Sequence, residues 1–355
     1  MSDADADTDG GPDAPSAGDS EFAFELRVCA WAEAAWHPEG EDRPCVVARQ
    51  LGTKRRRWDT VVVEVDPDAL ARRANFGAER LDSDLLHVVR HAPADWQFYR
   101  DALPHPGYPW RYVREAVHRA ADRGVLETRR NGNRIEVRRK WPYPDWVERV
   151  VAVENKPDLD ASAADALADQ LERDVALGLA DEVWLATEPD DAGGVQRALL
   201  HEMPVEAGIL AFDGSEASVE WHPRRLDPTA TGTRITGRPS DSEFDRSPAS
   251  FEYVDADWKR RKRLEIAERA YERGWRSYLE TMRPDCRHFA VRRAAHGYVP
   301  HCAAKGREQT AAECSGSCQD YEPEPPAWRQ KEWPIEGGPG AAIRRVLDER
   351  RRRER

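Results

Sequence analysis

Val150-Val151-Ala152-Val153-Glu154-Asn155-Lys156 decides the fold of this chain, read together with Trp58-Asp59-Thr60-Val61-Val62-Val63-Glu64-Val65. Each is a short β-branched apolar run, which predicts a buried strand. Buried strands seldom end in charge without a reason, because desolvating an unpaired ion is expensive. Side chains alternate along a strand, so Glu154 and Lys156 share a face. Asp59 lies at the end of the other strand. Two carboxylates and an ammonium converging at strand ends are the equipment for holding a divalent cation beside a phosphodiester and activating water. The competing reading is an ion pair at a strand end, Glu154 with a nearby arginine.

Outward from these strands, Glu21 to Trp36 reads as a first helix, with Phe22, Leu26, Cys29 and Trp36 near helical spacing. Pro44 to Leu51 reads as a short strand, and Thr53 to Arg57 as a basic turn. After the Glu154 strand, Ala161 to Leu179 predicts a helix with Leu167, Leu171, Val175 and Leu179 as its apolar stripe. A strand at 181–187, a short helix at 195–201 and strands at 207–212 and 217–221 follow. A Pro-, Gly- and Ser-rich linker is expected after residue 222, then a long basic helix from Asp255 to about Thr281.

Residues 80–145 interrupt this order. Helices are expected at 82–91, 93–103 and 109–123, then a hairpin turning on Asn131-Gly132. Three helices and a basic hairpin resemble a winged helix-turn-helix. From Arg100 to Lys140 there are 11 Lys and Arg against 5 Asp and Glu, in a chain of net charge −12. Arg111, Arg114 and Arg119 fall on the third helix, and Arg129, Arg130, Arg134 and Arg138 on or beside the hairpin. Such charges suit phosphate neutralisation, with the helix in a major groove. The bland alternative is a small helical subdomain with a solvated basic face.

The 355 residues suffice for two or three domains. Charged residues make up 34% and arginine far outnumbers lysine, a composition resembling that of halophile proteins. Global acidity then says little about partners, and local basic patches say more. No apolar run is long enough to span a bilayer, and the N-terminus lacks the basic and apolar regions of a signal peptide, so a cytoplasmic chain without membrane attachment is expected. Residues 1–20 read as a disordered acidic tail and 326–355 as a Pro-rich, charged tail.

Helix, strand, strand with aspartate, strand with Glu-x-Lys, helix, strand: this order, carried by Asp59, Glu154 and Lys156, resembles the core of the PD-(D/E)XK nuclease superfamily, and in particular a haloarchaeal branch with terminal cysteines. The resemblance covers about residues 21–222. It implies an α/β fold, a restriction-endonuclease-like mixed sheet flanked by helices, in two parts (21–79 and 146–222). It also implies that Asp59, Glu154 and the Asn155 carbonyl hold Mg²⁺ or Mn²⁺, with Lys156 assisting the attacking water. A helix-one glutamate, Glu25 before Glu33, and Gln170 on the later helix are further site candidates on the same ground. One departure is that Arg57-Trp58, not proline, precede the aspartate. Many members act as dimers, which leaves a homodimer open to this chain.

Six cysteines in a cytoplasmic chain are not expected to form a disulfide framework. Cys286, Cys302, Cys314 and Cys318, with His288 and His301 beside them, suit tetrahedral zinc or a four-iron–four-sulfur cluster within a module at 255–325. Cys29 reads as a core residue. The expected function is metal-dependent hydrolysis of DNA. The alternative is a DNA-binding regulator or scaffold with a degenerate core.

Overall fold

In the computed structural model, the β-branched runs become strands and the Leu- and Ala-periodic segments become helices. The structure describes residues 21–36, 43–105, 107–190, 193–201, 203–237, 250–280, 286, 288–294, 297–308 and 318–322; the two expected tails lie outside them. In chain order the elements are α1 (Glu21–Ala35), β1 (Cys45–Gly52), β2 (Arg57–Val65), α2 (Pro67–Arg73), α3 (Ser83–His91), β3 (Gln97–Phe98), α4 (Tyr99–Ala102), α5 (Trp110–Asp122), β4 (Leu126–Asn131), β5 (Arg134–Arg139) and β6 (Val147–Asn155). There follow α6 (Ala161–Leu177), β7 (Glu182–Thr187), β8 (Gly208–Phe212), β9 (Ala217–Trp221), β10 (Gly232–Gly237), β11 (Ser250–Val254), α7 (Ala256–Arg273), β12 (Phe289–Ala294), β13 (Gly297–Cys302) and β14 (Arg307–Glu308). Among the described residues no helix is long and apolar enough to cross a membrane.

Two compact units divide the chain: Arg27–Ser277, and Met1–Leu26 with Tyr278–Arg355. The larger unit is built on a six-stranded mixed sheet of order β1-β2-β6-β7-β8-β9. β1, β2 and β6 run antiparallel, β6, β7 and β8 parallel, and β9 antiparallel. Helix α6 makes the crossover from β6 to β7. It is capped by Asp160, whose side chain accepts from the Ala163 N–H, and stopped by Gly178 at φ 54°.

The period of two sorts β2 and β6 by face. Val61 and Val63 with Val150 and Ala152 join Leu167 and Leu171 of α6 and Ile266 and Ala270 of α7 in one core. The opposite face carries Thr60 and Glu64, which meet Cys29 within α1 and Trp36 just beyond it. There Arg149 is fully paired, to both oxygens of Glu64 at 2.6 Å and to Glu182 at 2.5 Å. Buried charge on this face is therefore neutralised in place.

Gly208 opens β8 beside Trp184, where an added Cβ would meet the indole ring at 2.5 Å. Gly208→Val should lower stability by about 1–3 kcal/mol, measured by urea denaturation, with the mixed sheet's circular dichroism retained at low denaturant.

Residues 76–137 bury a separate apolar cluster that includes Phe76, Leu85, Val88, Val117 and Val137. Its helices α3 and α5 and its hairpin β4–β5 match expectation, and β3 joins them in a sheet of order β3-β5-β4. The helix expected at 93–103 is only the single turn of α4. Gln97 and Phe98 instead pair with Val137 and Glu136, because an aromatic-rich, proline-flanked segment favours extension. The linker expected after residue 222 also contains a strand: β10 pairs with β11. The basic helix is shorter than expected, since Gly274 at φ 58° ends α7.

Candidate active site

Thr60 stands opposite Val153 and Val61 opposite Ala152, so the register carries Asp59 opposite Glu154. Alternation places both on the α6 face of the sheet, and the peptide N–H of Lys156 continues the pairing by donating to the Ala186 carbonyl at 2.9 Å. The three residues expected to carry chemistry therefore gather at one end of β2 and β6. Asp59 is held from two sides. The Asn155 backbone N–H donates to its Oδ2 at 3.0 Å, and Gln50 Nε2 donates to its Oδ1 at 3.0 Å. Gln50 adopts φ 53°, a left-handed conformation that costs about 1–3 kcal/mol for a non-glycine residue. That strain is spent where β1 passes the Asp59 carboxylate. The Asn155 side chain turns to the other face and donates to Thr60 Oγ1 at 2.9 Å.

Glu154 is only 4% exposed. Its carboxyl is held well above the usual carboxylate range, first by burial and next by the negative charge of Asp59, with Arg56 opposing. Arg56 is the buried charged neighbour of Glu154 that the sequence alone does not single out. It follows a tight turn in which Thr53 N–H donates to the Arg56 carbonyl at 2.7 Å. From there Arg56 Nη2 donates to Glu154 Oε1 and to Asp174 Oδ2, each at 2.6 Å. Its Nε reaches Asp174 Oδ1 at 3.0 Å, and its Nη1 the Arg57 carbonyl at 2.6 Å. Burial disfavours the guanidinium charge, but Asp174 and Glu154 more than offset it. Asp174 lies on α6, buried, with its own carboxyl raised by burial and held down by Arg56. It stands one turn beyond Gln170, which is half-buried on the same helix. The ion pair named as the competing reading is thus present, together with the facing aspartate.

The donor set suits Mg²⁺. A small hard cation is bound through one or two carboxylates with waters and phosphate completing the shell, and two facing carboxylates that raise each other's energy are relieved by a divalent ion. Among the described residues no group of three or more His, Cys, Asp or Glu side chains stands ready to hold a metal, so Asp59 and Glu154 would supply two ligands and leave positions open. Glu25 lies on α1 and is 5% exposed.

The basic residues divide into neutralised and available. Arg129 pairs with Glu136 at 2.7 Å, and Arg138 donates through Nε to Glu127 at 2.6 Å. Both guanidinium groups also flank the Trp96 ring, at 4.6 and 4.8 Å. Arg119 is paired with Asp82 at 2.5 Å. Arg114, Arg130 and Arg134 are exposed, with Arg134 over the Phe98 ring, and Arg111 rests on Tyr112.

In the smaller unit, Phe289 opposes Cys302 across β12 and β13, and the Phe289 N–H donates to the Cys286 carbonyl at 3.0 Å. Cys286 and Cys302 thus sit on adjoining backbone. Cys318 is half-buried, and Cys314 lies outside the described residues. His301, beside Cys302, is buried, and that burial, with the charge of Arg292, lowers its pKa. Cys29 is core as expected, its thiol 3.2 Å from Thr60 Oγ1.

No curated protein and no solved structure matches this chain. Its residues 46–323 match the model of a family of unknown function, DUF5787, and the chain belongs to that family.

Proposed function

We propose that this chain is a metal-dependent nuclease with a restriction-endonuclease-like core, hydrolysing phosphodiester bonds in DNA. One observation carries the reading: Asp59 and Glu154 face each other across β2 and β6, at the end where Lys156 leaves the sheet. The topology agrees with it, an antiparallel β1-β2-β6 unit followed by α6 and parallel β7. Mg²⁺ at the two carboxylates would supply charge neutralisation at the phosphate and an acidified water. The chain's own groups do the positioning. Gln50 and the Asn155 N–H fix the Asp59 carboxylate, and Arg56 holds one oxygen of Glu154. Lys156 brings a compact ammonium to the phosphate as charge builds there. Lys156→Ala should lower Mg²⁺-dependent cleavage of labelled DNA by about 10²–10³-fold and leave the folded spectrum unchanged. Full activity in that variant contradicts the assignment.

The second reading, a DNA-binding regulator without turnover, is favoured by the Arg56–Glu154 pair, since a guanidinium already occupies a proposed metal ligand. In either reading the insertion is taken as a winged helix. The order α3-β3-α4-α5-β4-β5, with sheet order β3-β5-β4, supports it. Charge pairing then sorts its arginines. Removing Arg114 or Arg130 should each reduce the slope of log affinity for duplex DNA against log salt by about 0.9. Removing Arg129 or Arg138, already neutralised by glutamate, should leave that slope nearly unchanged. Fluorescence anisotropy across a salt series reads both. The four C-terminal cysteines remain in this proposal a structural zinc or iron–sulfur site, and no step depends on it.

A further inference from the structure

Beside the turn that delivers Arg56 lies a cavity of about 560 Å³, the size of a small-ligand site. It is walled by the turn residues Gly52–Arg55, by the start of α3, by β10 and by α7. Six of its lining side chains are cationic, Lys54, Arg55, Arg80, Arg234, Lys262 and Arg269, in a chain whose net charge is −12; of these Arg234 pairs with Glu252 at 2.7 Å and Arg80 with Glu272 at 3.6 Å, beyond the wall. The two acids on its wall are engaged. Asp82 caps α3 and pairs with Arg119. Glu265 takes Lys262 at 2.5 Å and the Ser83 hydroxyl at 2.7 Å. Lys54 and Arg55 are exposed, and their side chains make no hydrogen bond or ion pair among the described residues, the Arg55 backbone N–H alone donating to Thr53 Oγ1 at 3.4 Å. Arg269 donates to the Gly52 carbonyl, a neutral partner. Burial lowers its pKa, and Arg80 and Arg273 push the same way against Glu265. This half-buried guanidinium feels Glu265 but makes no direct ion pair among the described residues. Trp258 adds an aromatic wall, with Arg234 over its ring at 5.2 Å.

From this geometry we infer that the cavity binds the phosphates of a single-stranded nucleic-acid segment one or two nucleotides long, next to the cleavage site. The inference rests on the nuclease reading for its substrate but not for its test. The volume accommodates a nucleotide or two and excludes a duplex, and cations interleaved with an aromatic wall are the pattern of single-strand tracks. The strand would enter along Lys54 and Arg55, the two residues before Arg56. Bound phosphate would give Arg269 a direct ion pair, which it does not make among the described residues.

Binding of fluorescein-labelled oligothymidylate is measured in EDTA, so that no cleavage step is involved. Lys54→Glu with Arg55→Glu should weaken binding about tenfold or more and reduce the salt slope by about 1.4, at roughly 0.7 per phosphate contact for single strands. The control, Arg224→Glu with Arg225→Glu, changes the charge equally on an exposed loop and should weaken binding far less. Equal losses in the two doubles overturn the proposal, as does an unchanged affinity at Lys54 and Arg55. Blunt duplex losing affinity to the same extent as the single strand overturns the choice of strand. Displacement of the oligonucleotide by millimolar ATP overturns it in favour of a free-nucleotide pocket. A nuclease reading that fails shows instead as intact binding here with no Mg²⁺-dependent product.

Discussion

Glu154→Gln is expected to abolish turnover and, in EDTA, to make the protein more stable. The loss should reach about 10³-fold, because Lewis-acid stabilisation of the transition state is worth several kcal/mol and each 1.36 kcal/mol is tenfold. The gain follows from linkage. Burial, then Asp59 and Asp174, raise the Glu154 carboxyl above its unfolded value. A carboxyl raised on folding binds its proton more tightly in the folded state. Its stabilisation is complete below the unfolded pKa and is lost as pH rises through the folded one. Wild type without metal should therefore lose stability as pH climbs from the ordinary glutamate range toward neutrality. Glutamine, which still accepts from Arg56, should flatten that dependence and raise the neutral-pH melting temperature. Mg²⁺ should raise the wild-type melting temperature and leave that of the variant unmoved. A variant less stable than wild type in EDTA would mark Glu154 as a structural partner of Arg56, not a metal ligand.

Removing Glu268 should have the largest effect on stability. Arg73 and Glu268 are both fully buried, joined by two hydrogen bonds of 2.6 Å. Glu268 also accepts from the Leu81 N–H and the Tyr143 hydroxyl, each at 2.7 Å, and Tyr143 in turn accepts from the Trp146 indole at 2.8 Å. Arg73 also donates to the Gly77 and Glu79 carbonyls. One carboxylate thus ties α7 to both chain crossings between the sheet and the insertion. Glu268→Ala leaves a buried guanidinium uncompensated, which should cost about 3–5 kcal/mol in urea unfolding. Replacing both partners by apolar residues, Arg73→Met with Glu268→Leu, should cost less than the single change, since no charge is then stranded. A single-variant loss below about 1 kcal/mol would mean that water reaches the pair.

The two strands that anchor the site were legible because their side-chain period of two is short and their apolar runs are dense. The same period placed Glu154 with Asp59 once Thr60 and Val153 were known to pair. Arg56 was not legible. It stands in Lys54-Arg55-Arg56-Arg57, four basic residues that read as one solvated turn, yet Arg56 alone is buried. Nothing in a run of like charges says which member turns inward; the partner carboxylates decide it, and they are 98 and 118 residues away. Asp174 did leave a signal. It falls three residues after Leu171 and seven after Leu167, inside the buried stripe of α6. A stripe at strict intervals of four through Val175 drifts about 40° per step on a helix of 3.6 residues per turn. The stripe as folded runs through Leu167, Leu171 and Asp174, and a carboxylate on it announces a buried cation. The hairpin at Asn131-Gly132 was readable from its turn chemistry, whereas the pairing of its arginines with Glu127 and Glu136 depends on cross-strand register.

The most direct test of the central claim is product formation by the wild-type protein alone. End-labelled duplex, single-stranded and branched DNA are incubated in high salt with Mg²⁺, with Mn²⁺ or with EDTA. The nuclease reading predicts metal-dependent fragments carrying a 5′-phosphate and a 3′-hydroxyl, and none in EDTA. Intact DNA in all three conditions, with binding retained, would contradict it and leave the insertion as the functional centre.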